Sequence, residues 1–373
     1  MPVAAGVSQS GTDCLCFGCL RLLNQGSAAN DWLWGCSSFL AMSVRIRERR
    51  ESWGTIVYDN LRDEFSAKVY EGCEPVPQSP IGCGWLVTAP CNLKCIHCYG
   101  NDEDLPSERL STPQQLKVAD EIIRAGIMRQ ILSGGEPLMR KDTLQVIEKL
   151  TDNGVATILG TNGTFLTAQM MKTVSKCTRV EISLDSMDER VNNEIRPSRN
   201  IKGNTYKETL RAIGLCVDSG VAPRILTCLN RHNSQHVEEL AQFIYERGIR
   251  DWAISWTLNA GRAYHIYSEL MPEETNHVTA VVEKLRLRYP DMQIRLSDRT
   301  VNYSRYYFLI WPNGIVGTEE IVTGKKLFFS SLVTGTVKDG WTRENYDWGA
   351  HFRKWVGDRV QVIPMESRTA LSA

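Results

Sequence analysis

The chain has 373 residues, 43 basic and 43 acidic side chains and a formal net charge of zero. Such a length holds one large domain or two ordinary ones, and the charge balance offers neither a nucleic-acid surface nor a funnel for acidic substrates. No apolar run reaches the roughly 18 residues of a membrane helix, so neither a membrane nor nucleic acid is an expected partner. Trp32–Val44 is apolar but short and lacks the basic region of a secretory signal. Twelve cysteines in so large a chain point to reduced thiols and a cytoplasmic location rather than a disulfide framework.

Residues 1–41 carry only Asp13, Arg21 and Asp31 as charges and hold Cys14, Cys16, Cys19 and Cys36. They read as a disordered tail, or as sequence ahead of a true start at Met42. A second metal site on the C-x-C-x2-C spacing is the alternative, less favoured because ligands need a folded shell to orient them. Within residues 42–84, Val44–Arg47 and Thr55–Tyr58 predict a small N-terminal strand pair. Pro75, Pro77 and Pro80, with three glycines, mark Gly72–Gly84 as a linker.

A regular alternation follows. Trp85–Ala89 predicts a strand, and Ser111 caps a helix to about Ala125 with Pro113 at an early position. Next come a strand at Ile127–Leu132, a helix at Asp142–Asn153, a strand at Val155–Leu159 and a helix at Thr167–Lys176. Val180–Leu184 predicts a strand, Tyr206–Ser219 a helix, Arg224–Leu229 a strand, Gln235–Arg247 a helix and Trp252–Trp256 a strand. Short apolar strands joined by long crossovers predict a parallel α/β sheet with right-handed connections. Six units over residues 85–257 make an open partial (β/α)6 barrel, with ligands outside the carboxyl ends of the strands. Residues 258–373 are more aromatic and strand-like, and predict an appended α+β region that covers the barrel.

The loop leaving the first barrel strand reads Pro90-Cys91-Asn92-Leu93-Lys94-Cys95-Ile96-His97-Cys98-Tyr99. Three thiolates at this spacing can wrap one corner of an iron–sulfur cube. A fully ligated site takes four cysteines, so three leave one iron open to an outside ligand. A structural zinc is the competing reading, but it usually takes paired C-x2-C motifs or a well-spaced histidine, and His97 is wedged between two of the cysteines. Ordinary core thiols fit poorly in a polar loop behind a proline.

C-x3-C-x2-C followed by an aromatic resembles the signature of the radical S-adenosylmethionine (SAM) enzymes, close to their SPASM and twitch subgroups. The resemblance covers about Trp85 to Trp256. Ser133-Gly134-Gly135-Glu136-Pro137, after the second barrel strand, resembles the family's GGEP run, which contacts the amino group of SAM. Glycines permit close approach to a ligand, and the carboxylate of Glu136 can receive an ammonium. Asn162, Ser183 and Asp185, at the next two strand ends, match positions that hold the ribose and carboxylate of SAM. Ser183 and Asp185 share a face if both lie on a strand, and Asn162 reads equally as an Asx-type turn. Arg196 resembles the arginine that meets the SAM carboxylate, with a solvated surface arginine as its alternative, and Tyr99 matches the aromatic near adenine.

The resemblance implies one [4Fe–4S] cluster on Cys91, Cys95 and Cys98, SAM, and an electron donor such as flavodoxin or ferredoxin. Leu309–Gly314 resembles the run before the auxiliary-cluster cysteines of the SPASM and twitch subgroups, yet no cysteine follows Cys228, so no thiolates are at hand for such a cluster. The implied activity is therefore a redox-neutral radical reaction, such as decarboxylation, elimination or epimerisation. Its expected substrate is a small molecule, for instance a sugar or nucleoside, in natural-product, antibiotic or cofactor biosynthesis. Maturation of a ribosomally made peptide is the alternative, and a non-catalytic iron–sulfur or zinc scaffold a second. Cys228, on the fifth barrel strand, is a candidate hydrogen-atom donor, or else a buried small residue.

Overall fold

Glu64–Tyr70 alternates inward Phe65, Ala67 and Val69 with outward Ser66 and Lys68, and forms a strand that the composition of the region did not suggest. The computed structural model describes residues 46–98, 109–199, 203–259, 261–271, 275–297, 306–320 and 325–365. The expectations for residues 1–41 and for Tyr99 lie outside them. In place of a strand pair, the structure has a four-stranded sheet. β1 (Ile46–Glu51), β2 (Gly54–Asp59) and β3 (Glu64–Tyr70) form an antiparallel meander, and β14 (Val360–Ile363) joins β3 in parallel. The pairing partner of β3 lies nearly 300 residues away in sequence, out of reach of a local reading.

The second sheet has ten strands. Six are the expected parallel ones: β4 (Gly82–Thr88), β5 (Arg129–Gly134), β6 (Ala156–Thr161), β7 (Arg179–Ser183), β8 (Arg224–Leu229) and β9 (Asp251–Trp256). Helices α1 (Thr112–Arg124), α2 (Thr143–Asp152), α3 (Met171–Val174), α4 (Glu189–Ile195), α5 (Thr205–Asp218) and α6 (Val237–Glu246) lie between them in sequence. α1 opens on the expected Ser111, whose backbone N–H donates to Gln114 at 2.8 Å in a capping box. α4 was not expected; Asp188 caps it, accepting from the N–H groups of Arg190 and Val191. The region after Leu258 is more than a cover. Following α7 (Tyr267–Leu270) and α8 (Thr275–Arg288), β10 (Gln293–Leu296) extends the sheet in parallel beside β9. β11 (Phe308–Ile310) pairs in parallel with β4 at the other side and leads into the antiparallel β12 (Ile315–Glu320) and β13 (Lys325–Ser331). α9 (Val337–Gly340) and α10 (Trp348–Val356) complete the described elements.

β4 begins three residues before the predicted Trp85 because its glycines belong to the strand, not to the linker. A Cβ on Gly82 would meet the Trp355 ring at 2.8 Å, and one on Gly84 the Tyr307 ring at 3.0 Å. Aromatics from the C-terminal region thus pack directly on the strand backbone.

The four-stranded sheet lies against the amino ends of the barrel strands. Its inner face packs Ile56, Tyr58, Phe65 and Val69 against Met128 and Ala156 of the barrel and Phe352 and Val356 of α10. Asp63, at φ 53° in the β2–β3 turn, enters this boundary. Its carboxylate accepts from Tyr58 at 2.7 Å, from Arg129 at 2.7 and 3.0 Å and from Arg224 at 2.9 Å. Arg179 and Arg224 go on to Asp251, and Arg224 also meets Glu181. An ionic plug therefore closes the amino end, and the opposite, carboxyl end is left for chemistry.

Candidate active site

β4 ends at Thr88, and the cysteine loop turns across the carboxyl ends of the neighbouring strands. Two strips of backbone fix it. The Lys94 and Ile96 N–H groups donate to the carbonyls of Pro197 and Ile195, and the Arg199 N–H donates to that of Asn92, at 2.8–3.0 Å. Arg262, which sequence reasoning missed, donates its backbone N–H to the Cys98 carbonyl at 2.9 Å and its guanidinium to the Cys95 carbonyl at 3.0 Å. Cys95 is buried, and Cys91 and Cys98 are half-buried. Burial pushes the Cys91 thiol up to about 11 and the Cys95 thiol up to about 12; Glu136 and Cys98 add to the first, and Cys98 and Cys91 add to the second against the charge of Arg196. A metal must therefore displace their protons to bind.

The donor set fits an iron–sulfur cluster. Cys98 lies near enough to both Cys91 and Cys95 to act on them electrostatically. Three thiols in one loop, with no fourth side chain of a tetrahedral zinc set beside them among the described residues, suit cluster ligation by thiolates. His97 between them is buried, with its Nδ1 lacking any partner. Burial pushes its pKa down to about 4, so it is a neutral ring at the edge of the site.

Gly134 and Gly135 are required by the cysteine loop itself. A Cβ on Gly134 (φ 134°) would lie 2.3 Å from the Thr88 carbonyl oxygen, and one on Gly135 2.1 Å from that of Pro90. The close approach lets the Gly135 N–H donate to Thr88 at 2.8 Å and the Glu136 N–H to Pro90 at 3.0 Å. The Glu136 carboxylate is engaged by the protein itself. It is fully buried, with Oε1 accepting from the Leu138 N–H and the Thr161 hydroxyl, and Oε2 from the Asn162 N–H. Burial raises its pKa. The side chain clamps the end of β5 to that of β6, and Pro137 starts the short turn behind it.

Asn162 is a second brace. Its amide donates to Asn92 at 3.0 Å and toward the Cys91 sulfur at 3.9 Å, while its oxygen accepts from both the N–H and the hydroxyl of Thr164. The Asx-type turn and a place beside the cysteines are both present in the one residue. Ser183 and Asp185 do not share a strand face: β7 ends at the half-buried Ser183, whereas Asp185 lies beyond it, fully buried. Arg196 is not a surface arginine. It is buried, and its Nε donates to Asp185 Oδ2 at 2.5 Å, its Nη1 to Cys95 Sγ at 3.8 Å, and its Nη2 lies 3.5 Å from His97 Nε2. Cys228 on β8 places its Sγ 3.6 Å from the Thr257 hydroxyl and donates its N–H to Asp185 Oδ1 at 2.8 Å. Burial pushes its thiol up to about 12.

An open parallel barrel with a three-cysteine loop after its first strand and a glycine pair locked onto that loop defines a class of cluster-bearing, SAM-dependent proteins. Residues 85–244 match the model of the radical SAM superfamily, so the chain carries a radical SAM domain. It is 28% identical over 207 residues to the Fe-coproporphyrin III synthase of Methanosarcina barkeri, covering 54% of this chain and 51% of that one. It is 27% identical over 203 residues to the mycofactocin maturase MftC of Mycobacterium ulcerans, covering 54% and 53%. The chain thus spans about half the length of the curated relatives it matches. Its fold resembles Streptococcus suis SuiB bound to precursor peptide SuiA, with a TM-score of 0.63 and 12% identity over 82% of this chain and 89% of that one. Another structure of SuiB holds S-adenosylmethionine. The cofactors of the superfamily are a [4Fe–4S] cluster and SAM. Among the described residues, no helix is long and apolar enough to cross a membrane.

Proposed function

We propose that this radical SAM enzyme binds one [4Fe–4S] cluster through Cys91, Cys95 and Cys98. SAM would be held at the adjoining strand ends, by the backbone of Gly134–Pro137 and by the region of Asn162, Ser183 and Asp185. When bound, cluster and SAM together supply a 5′-deoxyadenosyl radical that abstracts hydrogen from a substrate. The observation that carries this reading is the three-cysteine loop fixed across the carboxyl ends of β5–β7, where parallel α/β sheets place their ligands. Glu136 and Asn162 hold the strand ends in register with the loop. Tyr99 follows the last cysteine and is proposed to lie near adenine, and flavodoxin or ferredoxin is the proposed electron donor. Anaerobic reconstitution followed by iron analysis, electron paramagnetic resonance and an assay for 5′-deoxyadenosine tests the reading. Zinc without iron, or a cluster that does not cleave SAM, refutes it.

The reaction we favour is redox-neutral and acts on a small molecule, because residues 229–373 contain no cysteine for an auxiliary electron acceptor. Cys228 and Ser255 lie in register near the ends of β8 and β9, and we propose them as the thiol and hydroxyl that meet a substrate at the mouth. Peptide maturation is the second reading, supported by the similarity to mycofactocin maturase. Product mass against substrate mass in oxygen-free turnover separates the reaction types, since a clean loss of two hydrogens rejects the redox-neutral one.

A further inference from the structure

Arg196 resembles an arginine that meets the SAM carboxylate, but each of its three guanidinium nitrogens is engaged inside the protein, on Asp185, Cys95 and His97. It is buried, so its charge is unscreened by water. Asp185 is equally fixed: its other carboxylate oxygen accepts from the Cys228 N–H, its own N–H donates to the Asn192 side chain at 3.1 Å, and its carbonyl accepts from Asn233 at 2.9 Å. α4 carries Asn192 and ends at the residue before Arg196, so one short helix sets both partners. Cys91, by contrast, receives neutral donors, the Leu93 N–H at 3.4 Å and the Asn162 amide at 3.9 Å.

We propose that Arg196 is a positioning residue for the cluster: it places a buried cation against the Cys95 thiolate, with Asp185 as counter-anion, and so sets the reduction potential. This rests on the assignment of Cys95 as a cluster ligand. Hydrogen bonds to the sulfurs and the net charge around a cluster govern its potential. Reduction adds one electron and one negative charge, so a cation at Cys95 favours the reduced form and raises the potential, and the Asp185 carboxylate opposes it. Arginine and its counter-ion therefore act with opposite sign on one measurable quantity. A merely structural pair cannot do that.

The test uses the full chain, reconstituted without oxygen and titrated electrochemically in the absence of SAM, with iron content measured first. Arg196→Leu is expected to shift the one-electron reduction equilibrium at least tenfold against the reduced form, about 59 mV downward. Arg196→Lys recovers most of that shift, and Asp185→Asn moves the potential upward. Unchanged potentials in Arg196→Leu and Asp185→Asn, with SAM affinity lost in the former, overturn the proposal and return Arg196 to the SAM carboxylate. Where Arg196→Leu retains no iron, the sign of the Asp185→Asn shift decides: upward supports the proposal, no shift or a downward one overturns it. A wild-type protein that takes up no iron refutes the cluster assignment itself, before any variant is compared.

Discussion

Replacing Asp63 with Asn removes one negative charge from the ionic plug and turns one of its two acceptor oxygens into an NH2 donor. Asn keeps the size of the side chain and tolerates the left-handed φ of 53°, so the change isolates electrostatics from backbone strain. Both carboxylate oxygens are in use, with two hydrogen bonds from Arg129, one from Arg224 and one from Tyr58. Burial alone would raise the Asp63 carboxyl, but Arg129, Arg224 and Arg179 together hold it well below the usual carboxylate range. In the variant, Arg129, Arg179, Arg224 and Arg295 face only Glu181 and Asp251. Removing one partner of a buried ion pair costs about 3–5 kcal/mol because the other is left uncompensated. At roughly 2–4 °C per kcal/mol for a chain of some 200 residues, and somewhat less for this longer one, thermal unfolding should fall by about 5–10 °C. Because the folded-state pKa is depressed, the stabilisation is present above the unfolded pKa near 4 and is lost as pH falls below it. The gap between wild type and Asp63→Asn, measured by urea denaturation, should therefore narrow as pH drops from about 5 toward 2. A melting temperature within a degree or two of wild type, or a gap that stays constant with pH, refutes the view that these charges hold the amino end closed.

Cys91→Ala, Cys95→Ala and Cys98→Ala should each abolish 5′-deoxyadenosine formation and lower the iron content, as read by assay and metal analysis. Gly135→Ala should lose most cluster retention, because its Cβ would meet the Pro90 carbonyl at 2.1 Å; Gly160→Ala, whose nearest neighbour is at 3.7 Å, serves as the tolerant control. His351 accepts the Ile81 N–H at 2.9 Å, and burial pushes its pKa down to about 3. The unfolded chain protonates near 6.5 and the folded one near 3, so His351 stabilises the protein above about pH 6.5 and this contribution is lost as pH falls toward 3. The stability difference between wild type and His351→Leu should shrink across that window in denaturant titrations. Cys228→Ser should retain turnover; loss of product with SAM cleavage intact makes the thiol a hydrogen donor instead.

The parallel sheet was legible because its signal is local. Arg224–Leu229 is an apolar run bounded by Pro223 and Asn230, and the observed β8 has the same ends. β4 was read late because Gly82 and Gly84 look like linker glycines until Tyr307 and Trp355 are seen resting on them. No local pattern announces the plug either. Asp63, Arg129, Arg179, Glu181, Arg224, Asp251 and Arg295 come from a turn and five separate strands, and only the sheet topology brings them together. The same holds for β14, whose pairing with β3 brings the C-terminal end of the described chain back to the N-terminal sheet.

At the site the sequence motifs mark residues whose partners within the protein only the fold reveals. Glu136, Asn162, Asp185 and Arg196 all lie around the cysteine loop, but each is buried and occupied by protein partners. A loop carrying three thiols cannot be held by apolar packing alone, since its backbone polar groups need partners once buried. The strand ends supply those partners, and charged or amide side chains are what reach across from one strand to the next. Glu136 and Asn162 thus support the cysteine loop through protein partners. Substitutions at Glu136 or Asn162 are then expected to loosen the cysteine loop and lower iron retention before they weaken SAM binding, an order that iron analysis and SAM titration of the same preparations can establish.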